Sequence, residues 1–251
     1  MHFNSVLISC FLFASAVLAG PLQSQQLDLL GRSSHTRTTD CAPQIFGGAF
    51  LEQNNGTFNY IHGIFPVPNV TSPAASESFV TVAIAMDGTD SCPGGVYFQV
   101  GVSFHARCKG TTEIQAQYEW GPDSAQNLTL PISVGDWIEL TLITFNETTG
   151  HVFIAIFGSP GLSDDSPVQS SHPLCGKSAG WVVKSIVKHG GQTTIADFET
   201  VTFTGASAGK RGQELQGPLG ASTVGFHSPK GNVSTTINDN NSLSISYLQK
   251  G

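Results

Sequence analysis

The chain has 251 residues, only 12% of them charged, and 18 acidic side chains against 11 Lys and Arg leave a formal charge of −7. A nucleic-acid binder needs a basic stripe to displace counterions, which this balance excludes, and charge this sparse disfavours coiled coils and charge-laced helical bundles. With 39% hydrophobic residues the chain can still build a core.

Residues 1–19 read as a secretory signal: Leu7 to Leu18 is apolar apart from Ser9 and Ser15, and Ala16-Val17-Leu18-Ala19 supplies small residues for cleavage. No later apolar run reaches the roughly 18 residues a membrane span requires. The expectation is a secreted, extracellular, soluble protein, with no membrane or nucleic-acid partner. Residues 20–40 are polar and irregular, and read as a short pro-segment or flexible arm. Residues 41–251 hold no repeat and no linker, so they read as one domain. Asn55, Asn69, Asn127, Asn146, Asn232 and Asn240 each begin an Asn-X-Ser/Thr sequon, as suits a secreted glycoprotein. Cys10 would leave with the signal. Cys41, Cys92, Cys108 and Cys175 remain, an even number that allows three disulfide pairings.

Strand signals begin at Ile45. In the run from Val96 to His105, Val96, Phe98, Val100, Val102 and Phe104 point one way and Tyr97, Gln99, Ser103 and His105 the other. Ile114, Ala116, Tyr118 and Trp120 alternate with Gln115, Gln117 and Glu119. Trp137 to Phe145 and His151 to Phe157 flank a turn-like Asn-Glu-Thr-Thr-Gly and read as a hairpin. Trp181 to Lys188, Thr193 to Thr204 and Leu243 to Leu248 supply further strands. Many short strands without a helical stripe predict an all-β sandwich or barrel. Polar residues such as Gln99, Gln117 and Glu119 need a solvated sheet face, on which an extended polymer, peptide or glycan, could lie.

Motifs for metals and phosphates are missing: there is no His-Glu-X-X-His, no Cys/His pairing at zinc spacing and no phosphate-cradling Gly-Lys-Ser/Thr loop. Neither metal nor cofactor is expected. Gly205-Ala206-Ser207-Ala208-Gly209 matches the Gly-X-Ser-X-Gly elbow formally, but no helix pattern follows, so a loop is expected there. Asp87-Gly88-Thr89-Asp90 reads as a turn rather than a calcium loop.

Several strand sequences resemble the eqolisins, the fungal glutamic peptidases of the aspergilloglutamic and scytalidoglutamic type. Met86-Asp87-Gly88, then Cys92 and Phe98-Gln99-Val100-Gly101-Val102-Ser103-Phe104, resembles their Ile-Asp-Gly … Leu-Gln-Thr-Gly-Val-Asp-Phe. Tyr118-Glu119-Trp120-Gly121-Pro122-Asp123 resembles Tyr-Glu-Trp-Tyr-Pro-Asp, and Val134-Gly135-Asp136-Trp137-Ile138 resembles Gly-Asp-Thr-Ile. Cys175 to Val183 is similar to Cys-X-X-X-Ala-Glu-Trp-Ile-Val-Glu, and Ala196 to Thr204 to Ala-Asp-Phe-Gly-Ser-Val-Thr-Phe-Thr. The likeness runs in order from about Phe46 to Tyr247.

The resemblance implies a concanavalin A-like sandwich of two curved antiparallel sheets. It also implies a cofactor-free acid endopeptidase acting on polypeptides. In that mechanism a Glu activates water and then protonates the leaving amine, while a Gln amide holds the water and stabilises the oxyanion. Gln99 matches the Gln. Lys184 stands at the Glu position, and Gly180 replaces the motif's other acid. A lysine in a groove open to water stays protonated in acid and cannot act as the base. The resemblance further implies a substrate groove lined by Phe46, Asp87, Tyr97, Ser103, Glu119 and Trp120. It thins that groove where Phe46 and Ala83 replace Trp and Ser103 replaces Asp. It also implies a Cys108–Cys175 disulfide, leaving Cys41 for Cys92.

The expectation is therefore a monomeric eqolisin-like protein with a peptide-binding groove and impaired or lost peptidase activity. One alternative is an active acid endopeptidase with a relocated carboxylate, Glu119 or Glu199. The other is a lectin-like glycan-binding module.

Overall fold

The computed structural model describes residues 45–248, except 74–75, 93, 109, 186, 189–190 and 229–230. The signal, the 20–40 arm and Cys41 lie outside the described residues. In chain order the strands are β1 Ile45–Glu52, β2 Tyr60–Pro66, β3 Ser78–Asp87, β4 Tyr97–Ala106, β5 Thr112–Gly121, β6 Gln126–Asn127, β7 Trp137–Asn146, β8 Thr149–Ile156 and β9 Ser163–Gln169. There follow β10 Ser178–Ser185, β11 Val187–Lys188, β12 Gly191–Gln192, β13 Thr194–Ile195, β14 Thr200–Gly209, β15 Ser222–Val224, β16 Phe226–Ser228, β17 Gly231–Ile237 and β18 Leu243–Leu248. No helix occurs among the described residues.

All the strands except β11 and β12, which pair only with each other, form two sheets and so an all-β sandwich. The first runs β15-β1-β10-β3-β4-β5-β6, antiparallel throughout, with the short β13 pairing parallel to one end of β3. The second runs β16-β17-β18-β14-β2-β7-β8-β9. Alternation explains the layering. From the first sheet Val80, Val82, Ile84 and Met86 join Phe98, Val100, Val102 and Phe104 in the core; the second contributes Leu140, Leu142, Ile154, Val201 and Phe203. Trp181 is fully buried between the layers, and its Nε1 donates to the His62 carbonyl at 2.9 Å, fastening β10 to β2.

The alternating faces of β4 and β5 and the 137–157 hairpin stand as expected. The expected strand over Thr193–Thr204 is broken. After β13, Asp197 pairs across to Thr71, its Oδ1 accepts from the Glu199 N–H at 2.9 Å, and Glu199 sits at φ +56° before β14 begins. A side-chain turn has there displaced the ladder. The expected loop at Gly205–Gly209 is instead the end of β14, with its register to β2 shifting between Thr204 and Ser207.

The disulfide expectation is also corrected. Cys92 is bonded to Cys175, with Cα atoms 5.7 Å apart, and Cys108 is exposed and free. Cys92 precedes β4 and Cys108 follows it, so ten strand residues, about 33 Å, separate them. Cys175 lies at the Cys92 end, far beyond the reach of Cys108. The Asp87 carboxylate fixes this end: it accepts the N–H groups of Cys175 and Gly176 on Oδ2 at 2.8 and 2.9 Å, and those of Lys177 and Ser178 on Oδ1 at 2.8 and 3.3 Å.

Candidate functional site on the outer face of the first sheet

Residues of β1, β10, β3, β4 and β5 that point away from the core fall into rows fixed by strand register. One row is Phe50, Gly180, Ala85, Gln99 and Glu119; the next is Gly48, Val182, Ala83, Gly101 and Gln117. A third is Phe46, Lys184, Thr81, Ser103 and Gln115. Lys184 and Gln99 thus lie in different rows, with the small Ala83 and Gly101 in the row between.

The long lysine side chain closes that gap. Lys184 Nζ lies 2.9 Å from Glu119 Oε2, and Gln99 Nε2 donates to the same oxygen at 2.6 Å. The Tyr97 hydroxyl donates to Glu119 Oε1 at 2.5 Å, and Lys184 Nζ sits 5.5 Å from the centre of the Tyr97 ring. Glu119 therefore accepts from three side chains, one of them a cation. Gln99 is 4% exposed and Lys184 6%. The water-open lysine expected from sequence is in fact enclosed. Burial pulls its amine down from the ordinary lysine range, and Glu119, by charge and hydrogen bond, pulls it partly back.

The Ser103 and Thr81 hydroxyls share a hydrogen bond at 2.7 Å. Phe46 and Phe50 have ring centres 5.2 Å apart, and Phe46 packs with Phe50, Ala83, Val182 and Val224 in a small apolar cluster on this face. Two expected groove residues are elsewhere. Trp120 faces the core, 2% exposed, stacked on Phe98 at 4.5 Å with Nε1 donating to the His172 carbonyl. It follows the parity of β5, opposite to Glu119. Asp87 is 1% exposed and its carboxylate is committed to the 175–178 backbone. Asp87, Cys92 and Cys175 lie close together, but both sulfurs are in the disulfide, so no thiolate is available to a metal. Glu199 is exposed in the turn before β14, in the other sheet, and does not join Gln99.

What sequence reasoning missed is the convergence on Glu119. Its only sequence signal is that Tyr97, Gln99 and Glu119 share the polar parity of adjacent strands. A second omission is the ring of Phe50 over Gly180, where a Cβ would lie 2.4 Å from Phe50 Cδ1.

The sequence model of the peptidase A4 family matches residues 44–247. The chain belongs to the peptidase A4, or eqolisin, family. Within it, aspergillopepsin-2 of Aspergillus niger is 25% identical over 289 residues, spanning 99% of this chain and 100% of that protein. Among solved structures, scytalido-glutamic peptidase with a transition-state analogue inhibitor superposes with a TM-score of 0.70 at 22% identity, covering 82% of this chain and 98% of the other. SCP-B, an eqolisin-family peptidase in complex with the tripeptide Ala-Ile-His, gives 0.66 at 21% identity with the same coverage. These two likenesses establish the shared sandwich fold.

Proposed function

We propose that this eqolisin-family chain has lost the family's acid endopeptidase chemistry and keeps the outer face of the first sheet as a surface for an extended polypeptide. The observation that carries the reading is the occupation of Glu119 by Lys184, Gln99 and Tyr97 together. Glutamic peptidase chemistry needs a carboxyl group able to take a proton from water and return it to an amine, and an amide free to steady an oxyanion. An amine stands at position 184. The Gln99 N–H groups are turned toward Glu119, and the Glu119 oxygens are already accepting. We assign Gln99 as the retained family position and Lys184 as the substitution that disables it, with Phe46, Tyr97, Ser103 and Glu119 on the polypeptide-facing surface.

The same reading makes the chain a secreted glycoprotein. Asn55, Asn69, Asn127, Asn146 and Asn240 are exposed and Asn232 half-buried, and the Cys92–Cys175 bridge suits an oxidising compartment. Among the described residues no helix is long and apolar enough to cross a membrane.

The test is incubation with an unfolded protein substrate at about pH 2–5, where a glutamic carboxyl can cycle its proton. The expected result is binding without cleavage. Cleavage that disappears in Gln99→Ala overturns the reading. One contact favours a second reading, a relocated carboxylate: Glu119 Oε2 lies 2.6 Å from the Gln99 amide. Cleavage lost in Glu119→Gln selects it, and binding on a glycan array without peptide binding selects the lectin-like alternative.

A further inference from the structure

We propose that Lys184 and Gln99 become joined by an intramolecular isopeptide bond, with Glu119 carrying the proton. A nucleophilic amine, an amide electrophile and a carboxylate bridging both nitrogens are placed together, and the carboxylate touches each through one oxygen, Oε2, at 2.9 and 2.6 Å. Tyr97 fixes the other oxygen at 2.5 Å, so the bridging oxygen is held in place. Gln99 and Lys184 are 4% and 6% exposed, which limits competition from water as a nucleophile. Enclosure also favours the neutral amine needed for attack.

The step balances without an added reactant. Lys184 Nζ passes a proton to Glu119 Oε2, and its lone pair attacks Gln99 Cδ, forming an N–C bond and an oxyanion on Oε1. The tetrahedral centre collapses, the Cδ–Nε2 bond breaks, and Nε2 departs as ammonia with protons relayed through Glu119. Ammonia leaves as ammonium, taking the charge that Lys184 gave up, and Glu119 returns to carboxylate. One amide replaces another, so nothing is oxidised or reduced. Holding both groups in one site substitutes for an enzyme, since oriented intramolecular pairs reach effective molarities of about 10⁵–10⁸ M. The bond would span β10 and β4 across the intervening β3.

Mass spectrometry of the full-length secreted chain, reduced and deglycosylated, tests this directly. The expected product is about 17 Da lighter than its sequence, the mass of ammonia, with a branched proteolytic peptide linking Lys184 to Gln99. Lys184→Arg keeps a cation beside Glu119 and cannot be acylated in this way; its expected mass is the full one. Glu119→Gln is expected to retain both linear peptides. A wild-type chain of full mass with both linear peptides after prolonged incubation at neutral pH overturns the proposal. A branched peptide that persists in Glu119→Gln overturns the role of Glu119. These readouts involve no peptidase assay, so they stand or fall apart from the functional reading above.

Discussion

Phe50 and Gly180 sit opposite each other on β1 and β10, and the Phe50 ring fills the space where a side chain at 180 would begin. A Cβ there would lie 2.4 Å from Cδ1 and 2.5 Å from Cε1. The absence of a side chain at position 180 and the presence of a phenyl ring at 50 are therefore one arrangement. Gly180→Glu is expected to destabilise the fold by about 1–3 kcal/mol, the usual cost of overpacking. Phe50→Ala should relieve part of that cost, giving favourable coupling in a double-mutant cycle read by urea unfolding. Strict additivity of the two changes would count against the steric account.

Lys184→Glu alone should confer acid endopeptidase activity. It removes the cation from Glu119, places a carboxyl group in the Gln99 site and needs no space beyond that of lysine. A general acid–base is worth about 10²–10⁴-fold, so a gain of that order over the wild type is expected against an unfolded substrate at acid pH. Activity indistinguishable from wild type, in a variant that folds, would place the decisive loss elsewhere on the outer face, at Phe46, Ala83 or Ser103.

Asp87 is predicted to be structural. Four backbone N–H groups from residues 175–178 point at its carboxylate, and its own φ is +57°, a conformation Asp and Asn tolerate better than most residues. Asp87→Ala leaves those donors without their acceptor, at about 1–3 kcal/mol for each buried group left unpaired, so a loss of at least about 3 kcal/mol is expected in urea denaturation. Asp87→Asn, which keeps an oxygen and the backbone preference, should lose distinctly less. Equal losses in the two variants would refute the assignment.

His62 ties stability to pH. Its ring is held by the Thr141 hydroxyl at 3.1 Å, and burial lowers its pKa below 6.5, outweighing the nearby Glu139 and a backbone hydrogen bond that act to raise it. In the unfolded chain the imidazole titrates near the ordinary 6.5. As pH falls through that value the unfolded state takes up a proton that the folded state refuses, so stability declines, and the decline ends below the folded pKa. His62→Gln is expected to flatten the dependence of Tm on pH in that window. An unchanged slope would show that other groups carry it.

Much of this was legible in the residues. The alternation in Val96–His105 and Ile114–Trp120 placed Gln99 and Glu119 on one face and Phe98 and Trp120 on the other, because strand parity is local and strict. The meeting of Lys184 with Glu119 was not legible. It depends on β10 inserting between β1 and β3, on the order of the strands between, and on how far a lysine reaches over Ala83 and Gly101. The cysteine pairing failed for a related reason: which end of β4 faces residue 175 is set by Asp87 gathering a distant backbone. The break in Thr193–Thr204 was hidden because the Asp197 side chain competes with a ladder that the β-prone residues around it would otherwise continue.

The position of β10 also bears on the order in which the molecule assembles. β3, β4 and β5 are consecutive and can pair as a meander, whereas β1 and β10 come from distant parts of the chain, so their pairing is expected to form after the meander, because loop closure comes before non-local contacts reward it. Lys184 meets Glu119 only when β10 is seated. Substitutions at Lys184 should accordingly speed unfolding while leaving the folding rate nearly unchanged. A covalent link made there would be a chemical record of completed folding, carried only by molecules whose last central strand has docked.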